Sequence, residues 1–455
     1  MNTSFFAACK KLLKFSVPVV GQRLVVAING FIGMMMIARL GHAQLAAGAL
    51  ITSVYITLLV IATSIVYSMG VIGGQIYGAK KYIELGKILR QGWLLAIIIA
   101  IPLTLVMWNI SPVLLFFKQD RHLVLLTQNY FRVLSLGMLP LMLLSTTSQF
   151  FIAVSKPKIS LYFSIGSIII TVIPAYGLVF GKLGLPAFGM LGVPLAITMK
   201  NYIICGAVLI YLLCNKRYKK FQIFKFFSSG NFYYFRRLLQ IGLPISIQFA
   251  AELTAFCMGT FMMGWLGQTA LAARQIVLQL NIIAVMVPFG ISQASGVLVG
   301  QALGQENFQA IKSLGYATIS IGLIFVMFIA AAYWIIPKNL ISFYVNVRNP
   351  INAQLVHIAI LLMAVGAFAQ IFDAARNVAT GTLRGLHDTK VPMWIGILAT
   401  WIISLPVGYF CAFILHWGPV GLSCGYMVGF FVGAILIIKR LHHKTNLMIA
   451  AINVK

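Results

Sequence analysis

Six residues of this chain carry a carboxylate, against 34 lysines and arginines. Glu84, Asp120, Glu306 and Asp388 fall in loops or at the ends of apolar runs, whereas Glu252 and Asp373 fall in the middle of such runs. A charge held at the centre of a bilayer costs ~2.5–3.5 kcal/mol even on the lenient insertion scale, so such a group persists only with a partner or a function. Around Glu252, the residues Gln248, Ala255 and Gly259 share one helical face, with Phe256 one turn beyond. Around Asp373, the residues Gln370, Asn377 and Thr380 make a second polar face. Arg274, Gln275 and Gln279 add polar groups early in a neighbouring run.

Two chemistries fit two membrane carboxylates flanked by amides. A carboxyl group taken out of water holds its proton more readily and releases it when water returns. Two carboxylates with amide oxygens also make a Na⁺ site. Either gives ion-coupled transport. The structural alternative is that each acid is paired with a buried arginine, and Arg376, three residues after Asp373, is close enough to bridge. For Gln248, Gln275, Gln279 and Asn377, helix-to-helix hydrogen bonding competes with cavity lining.

These side chains must be positioned by helices in lipid. The chain has 455 residues, 61% of them apolar and 9% charged, against about 25% charged in a soluble domain. Lipid leaves an exposed backbone unsatisfied, so the expected fold is an all-α polytopic membrane protein. Twelve segments reach the roughly 20 residues needed to cross a bilayer: 16–38, 44–75, 90–116, 122–154, 159–181, 188–214, 240–263, 270–302, 313–337, 352–383, 391–415 and 418–438. The basic N-terminal stretch Lys10, Lys11, Lys14 reads as the flank of an uncleaved first span rather than as a signal peptide. Of the 34 basic residues, 23 fall on the side that holds both termini and six on the other, while Arg23, Arg132, Lys200, Arg274 and Arg376 fall within spans. The positive-inside rule then puts both termini in the cytoplasm, and it explains the net charge of +28 by topology and anionic lipid, with no nucleic-acid partner.

The chain also repeats itself. Lys11-Leu12-Leu13 and Pro18 match Arg237-Leu238-Leu239 and Pro244. Leu40-Gly41 matches Leu266-Gly267, and Gly70, Gly74-Gln75 and Gly78 match Gly296, Gly300-Gln301 and Gly304. All lie 226 apart; Gly189 and Gly192 match Gly418 and Gly421 at 229. Two six-span lobes are therefore expected, 1–214 and 238–455, joined by a basic cytoplasmic linker over 215–237 and related by a pseudo-two-fold along the membrane normal.

Taken together, these segments resemble the multidrug and toxic compound extrusion (MATE) transporters of the NorM-like bacterial branch. The resemblance runs from about Val17 to Arg440. It is carried by Pro244 to Glu252 with Phe256, by Leu271-Ala272-Ala273-Arg274-Gln275, and by Asp373 followed by Gly381-Thr382-Leu383-Arg384-Gly385-Leu386-His387-Asp388. It implies twelve helices in two six-helix bundles about a V-shaped cleft, export of organic, often cationic, compounds in exchange for Na⁺ or H⁺, and a cation site at Glu252 and Asp373 with Phe256 beside the glutamate. The chain departs from the family at Gly33, where many relatives carry an aspartate, and at Arg274, where a histidine is common. It departs again at Arg376, which would itself fill the cation site.

The expected protein is thus a secondary antiporter of the bacterial cytoplasmic membrane, monomeric, without a cofactor beyond the coupling ion, handling small organic substrates. The excess of basic residues inside spans motivates an alternative, an exporter of a specific anionic metabolite or a lipid-linked flippase of the wider superfamily. An enzyme is disfavoured, because the histidines sit mostly in loops or at span ends and no H-E-x-x-H occurs. The six cysteines are scattered with no C-x-x-C pair, which leaves no metal or redox motif.

Overall fold

The computed structural model describes residues 2–116, 120–224 and 232–453. Lys118, Lys225 and Lys455 lie outside the described residues. The fold is all-α, with no strand among the described residues. Among the described residues, twelve spans are long and apolar enough to cross a membrane when the bent pair is taken as one: Asn2–Ala38, His42–Gly78, Tyr82–Trp108, the bent pair Arg121–Leu136 and Met138–Ala153, Pro157–Phe180, Gly192–Cys214, Tyr233–Trp265, Gln268–Gly304, Phe308–Ile335, Ala353–Gly385, Lys390–Ile414 and Gly418–Asn453.

Several helices run beyond the apolar segments that announce them. The first begins at Asn2 and the twelfth continues to Asn453. Two spans are broken, each time with the freed backbone groups satisfied by side chains. The third stops at Trp108 and resumes as Ile110–Phe116; Gln128 accepts from Ser111 N and Oγ and donates to the Trp108 carbonyl. The fourth bends by 52° at Gly137. There the sixth span supplies the donors: Thr198 Oγ1 to the Val133 carbonyl at 3.0 Å, Tyr202 OH to Leu136 at 2.9 Å and Asn201 Nδ2 to Gly137 at 3.1 Å. Lipid has no water to do this, so a bend at membrane depth needs such partners.

The repeat recurs in the backbone. Gly41 and Gly267 take φ of 131° and 115°, and Lys80 and Glu306 take φ of 59° and 57°. Each pair is 226 apart. Around the second pair the hydrogen bonds are copied as well, Lys81 N to Ile76 O in one half and Asn307 N to Ala302 O in the other. The corner is conserved between the halves although one copy carries a lysine and the other a glutamate.

The chain forms two compact units, residues 21–246, and residues 1–20 together with 247–455. The crossing points after Val20 and Ser246 are themselves 226 apart. The division therefore falls inside the first and seventh spans rather than in the linker. Within the unit 21–246, the start of the linker is anchored. Tyr218 and Phe221 are buried in an aromatic cluster with Phe150 and Phe151, and Arg90 Nη1 donates to the Gln222 carbonyl at 2.6 Å.

In the other unit, the tenth span (Ala353–Gly385) packs among the eighth, ninth and twelfth. Close approach to the eighth depends on Gly381 and Gly385, where an added Cβ would lie 2.2 Å from the Ser292 carbonyl oxygen and 2.6 Å from that of Gly296. Small residues at i and i+4 on both helices let the backbones touch. Ser292 Oγ then donates to the Asn377 carbonyl at 2.7 Å, and Ser295 pairs with Thr382 at 3.0 Å. These contacts set the height and rotation of the face that carries Asp373, Arg376 and Asn377.

Candidate functional site

Glu252, from the seventh span, and Asp373, from the tenth, converge on one buried point, exposed by only 6% and 8%. Between them lies the guanidinium of Arg376, itself 2% exposed. Its Nη1 donates to Glu252 Oε1, and its Nη2 and Nε donate to Asp373 Oδ1 at 2.8 and 3.2 Å. Sequence spacing placed Arg376 within reach of Asp373; the structure adds that one arginine bridges both acids.

The surrounding bonds complete a network. Gln248 Nε2 donates to Glu252 Oε1 at 3.0 Å, and Asn377 Nδ2 donates to Asp373 Oδ2 at 3.0 Å. Arg384 Nη2 reaches Gln248 Oε1 at 3.0 Å, and its guanidinium carbon stands 5.1 Å from the centre of the Phe249 ring. Thr380 Oγ1 donates to the Arg376 carbonyl at 2.7 Å. The amides Gln248 and Asn377 thus act on the carboxylates directly, as members of the site.

The walls are shaped for this cluster. The eleventh and twelfth spans each present a glycine: a Cβ on Gly396 would lie 3.0 Å from Glu252 Oε1, and one on Gly433 would lie 3.0 Å from Arg376 Cδ. Just past Gly396, the eleventh span departs from α geometry in two π-helical stretches, Leu398–Ser404 and Phe410–Ile414. Such stretches recur at functional sites. The Arg376 guanidinium carbon lies 5.3 Å from the Phe430 ring centre, within cation–π range.

Phe256 takes part through rings. It stacks on Tyr426 at 5.3 Å and 14°, and lies 6.2 Å from Phe430. Arg274, buried at the start of the eighth span, sits 5.5 Å from the Tyr426 ring. A column of aromatic faces therefore runs from Arg274 to Arg376. Gln275 and Gln279 lie on exposed faces of the same helix, and the structure does not gather them with the acids.

Several participants were not singled out in the sequence. Arg384 falls on the cytoplasmic side of a span by the charge tally, yet it is 8% exposed in the last turn of the tenth helix. Its spacing was the available signal: eleven residues after Asp373 is three full turns and returns to the same face. Phe430, Tyr426, Gly396 and Gly433 carry no such mark. Three of the remaining acids make contacts near helix ends. Asp388 pairs with Arg440 at 2.9 Å and Lys444 at 3.2 Å, Glu84 accepts from Tyr234 OH at 2.8 Å, and Asp120 accepts from the Leu123 amide at 3.3 Å.

Comparison with known proteins gives a consistent picture. The family model described as MatE matches residues 18–177 and again 244–410. The chain is 28% identical to a probable multidrug resistance protein NorM of Synechocystis sp., over 97% of this chain and 95% of that one. It is 32% identical to a probable multidrug resistance protein NorM of Mesorhizobium japonicum, over 90% and 88%. It is 31% identical to the multidrug resistance protein NorM of Burkholderia vietnamiensis, over 92% and 90%. Among solved structures, an outward-facing multidrug resistance MATE family transporter superposes with a TM-score of 0.88 at 15% identity, over 97% and 96% of the two chains. A MATE structure in the bent conformation gives 0.89 at 14%, over 98% and 97%. At these identities the likeness speaks for the fold alone.

Proposed function

The chain belongs to the MatE family of multidrug and toxic compound extrusion transporters, and from that premise we propose that it exports amphipathic organic compounds by antiport, driven by inflow of Na⁺ or H⁺. One observation carries the coupling role: Glu252 and Asp373 arrive from two different spans at a single buried point. Lipid-embedded acids are costly and mark ion pathways. In this reading the lobes alternate access across the membrane, and the changing occupancy of the two carboxylates links ion entry to substrate exit. The protein works as a monomer in the bacterial cytoplasmic membrane with both termini inside, as the basic asymmetry of the loops supports. No cofactor is required beyond the ion.

The test is transport in proteoliposomes under an imposed Na⁺ or H⁺ gradient, using cationic and anionic dyes. The wild type moves dye against one of these gradients, and Glu252→Gln, inserted at normal level, does not. Gradient-driven transport undiminished in Glu252→Gln would refute the coupling role.

A second reading is supported by charge. Arg274, Arg376 and Arg384 are buried in the same unit as the two acids, and the third buried acid there, Asp388, is already paired with Arg440 and Lys444; the surplus of positive charge suits an anionic substrate such as an endogenous organic acid. Transport of the anionic dye alone, lost in Arg274→Gln, would favour it over export of cations.

A further inference from the structure

Arg376 stands where a free cation would stand. Three of its N–H groups are directed at two carboxylates, and both acids meet at this one group. Glu252 Oε1 already accepts from Arg376 and Gln248, Asp373 Oδ1 accepts two bonds from Arg376, and Asp373 Oδ2 accepts from Asn377. Three of the four carboxylate oxygens are thereby engaged, and the guanidinium holds one oxygen of each acid.

The fit is steric as well as ionic. The absent side chain of Gly433 leaves room for the Arg376 stem, that of Gly396 leaves room for Glu252, and the Phe430 ring closes the guanidinium's face. A Na⁺ ion between the acids needs several oxygens at short range, and here those oxygens are taken by nitrogen donors. Two carboxylates left together without a cation are strongly disfavoured out of water. The site is therefore built to be occupied, and this chain supplies an occupant from its own tenth helix.

We infer that Arg376 is a tethered occupant of the coupling site, so that an inorganic cation engages Glu252 and Asp373 together only by displacing the guanidinium. The inference rests on the reading of these acids as the coupling pair. It gives this chain a chemical property set by Arg376 itself: low affinity for free cations in the conformation described, with the arginine as their intramolecular competitor.

The experiment is equilibrium binding of radioactive Na⁺ to the full-length protein, purified in detergent, at constant ionic strength with choline as the replacing cation. Arg376→Gln is expected to bind Na⁺ at least tenfold more tightly than the wild type, and to gain thermal stability on adding NaCl that the wild type does not gain. Arg376→Lys, which keeps the tethered charge, should remain close to the wild type. Removing Glu252 as well, in Arg376→Gln with Glu252→Gln, should abolish the gain. Should Arg376→Gln not accumulate in choline buffer, added NaCl is expected to rescue it and equal choline chloride is not; failure of NaCl to rescue it overturns the inference. Equal Na⁺ affinity in the wild type and the accumulating Arg376→Gln variant, or a gain that survives loss of Glu252, overturns the inference. The antiport reading is judged separately, by gradient-driven transport in the wild type and Glu252→Gln, so either can fail alone.

Discussion

Removing the Arg376 side chain has a cost that can be worked out from its neighbours. Arg376→Met keeps much of the stem against Gly433 and Phe430 but deletes the three hydrogen bonds to Glu252 and Asp373. Breaking a buried ion pair by deleting one partner costs about 3–5 kcal/mol, because a buried charge is left uncompensated. That is a roughly hundred-fold to several-thousand-fold fall in the ratio of folded to unfolded protein. Neutralising all three groups, in Arg376→Met with Glu252→Gln and Asp373→Asn, removes the stranded charges too, and replacement of a whole buried pair is often neutral or stabilising. The triple variant should therefore be markedly more stable than the single one. The assay is unfolding of purified protein in choline buffer, followed by tryptophan fluorescence, with Na⁺ kept out so that it cannot substitute. A single variant within 1 kcal/mol of the wild type, or a triple variant no more stable than the single one, would refute the view that one arginine neutralises both acids.

Two further outcomes test how the scaffold is held. Asn201→Ala removes the side-chain donor to the Gly137 carbonyl at the bend of the fourth span and leaves it only the Leu141 amide at 3.2 Å. Interhelical hydrogen bonds in membranes are worth about 0.6 kcal/mol and up to about 1.7, so a small but measurable drop in melting temperature is expected, and none at all would mean that the bend does not rely on this bond. Gly86→Ala would place a Cβ 1.8 Å from the Phe221 carbonyl oxygen. The start of the linker must then move, at a cost of about 1–3 kcal/mol for overpacking, and trypsin should cut faster at the exposed Lys219 and Lys220. Cleavage at the wild-type rate would show that the linker is not docked there.

The sequence announces the helices and the two acids for the same reason: both are extremes. A run of some twenty apolar residues has few other uses, and a carboxylate within it stands out. What it conceals is rotation. A lipid-facing side is as apolar as a packed side, so nothing in the eleventh and twelfth spans marks Gly396, Gly433 or Phe430 as site residues. By the charge tally Arg384 falls on the cytoplasmic side because it follows an apolar run, whereas its helix continues and turns it inward to Gln248. Gln275 and Gln279 show the converse, polar groups on a span that stay exposed. The lysines mark the linker in the sequence, and its hold on the protein lies in Tyr218 and Phe221.

The exchange of opening segments bears on how the chain is made. Residues 1–20 leave the ribosome before residues 21–246, yet they belong with residues 247–455. The intervening 226 residues take roughly ten to forty-five seconds to synthesise at ordinary rates. Through that interval Leu12, Phe15 and Val19, all buried at the end, are without their final neighbours, and lipid or the insertion machinery must cover them. The unit 21–246 is contiguous in the chain and waits for no later segment. The unit that carries the acids can be completed only after residues 21–246 have been made, because its two parts flank them in the chain.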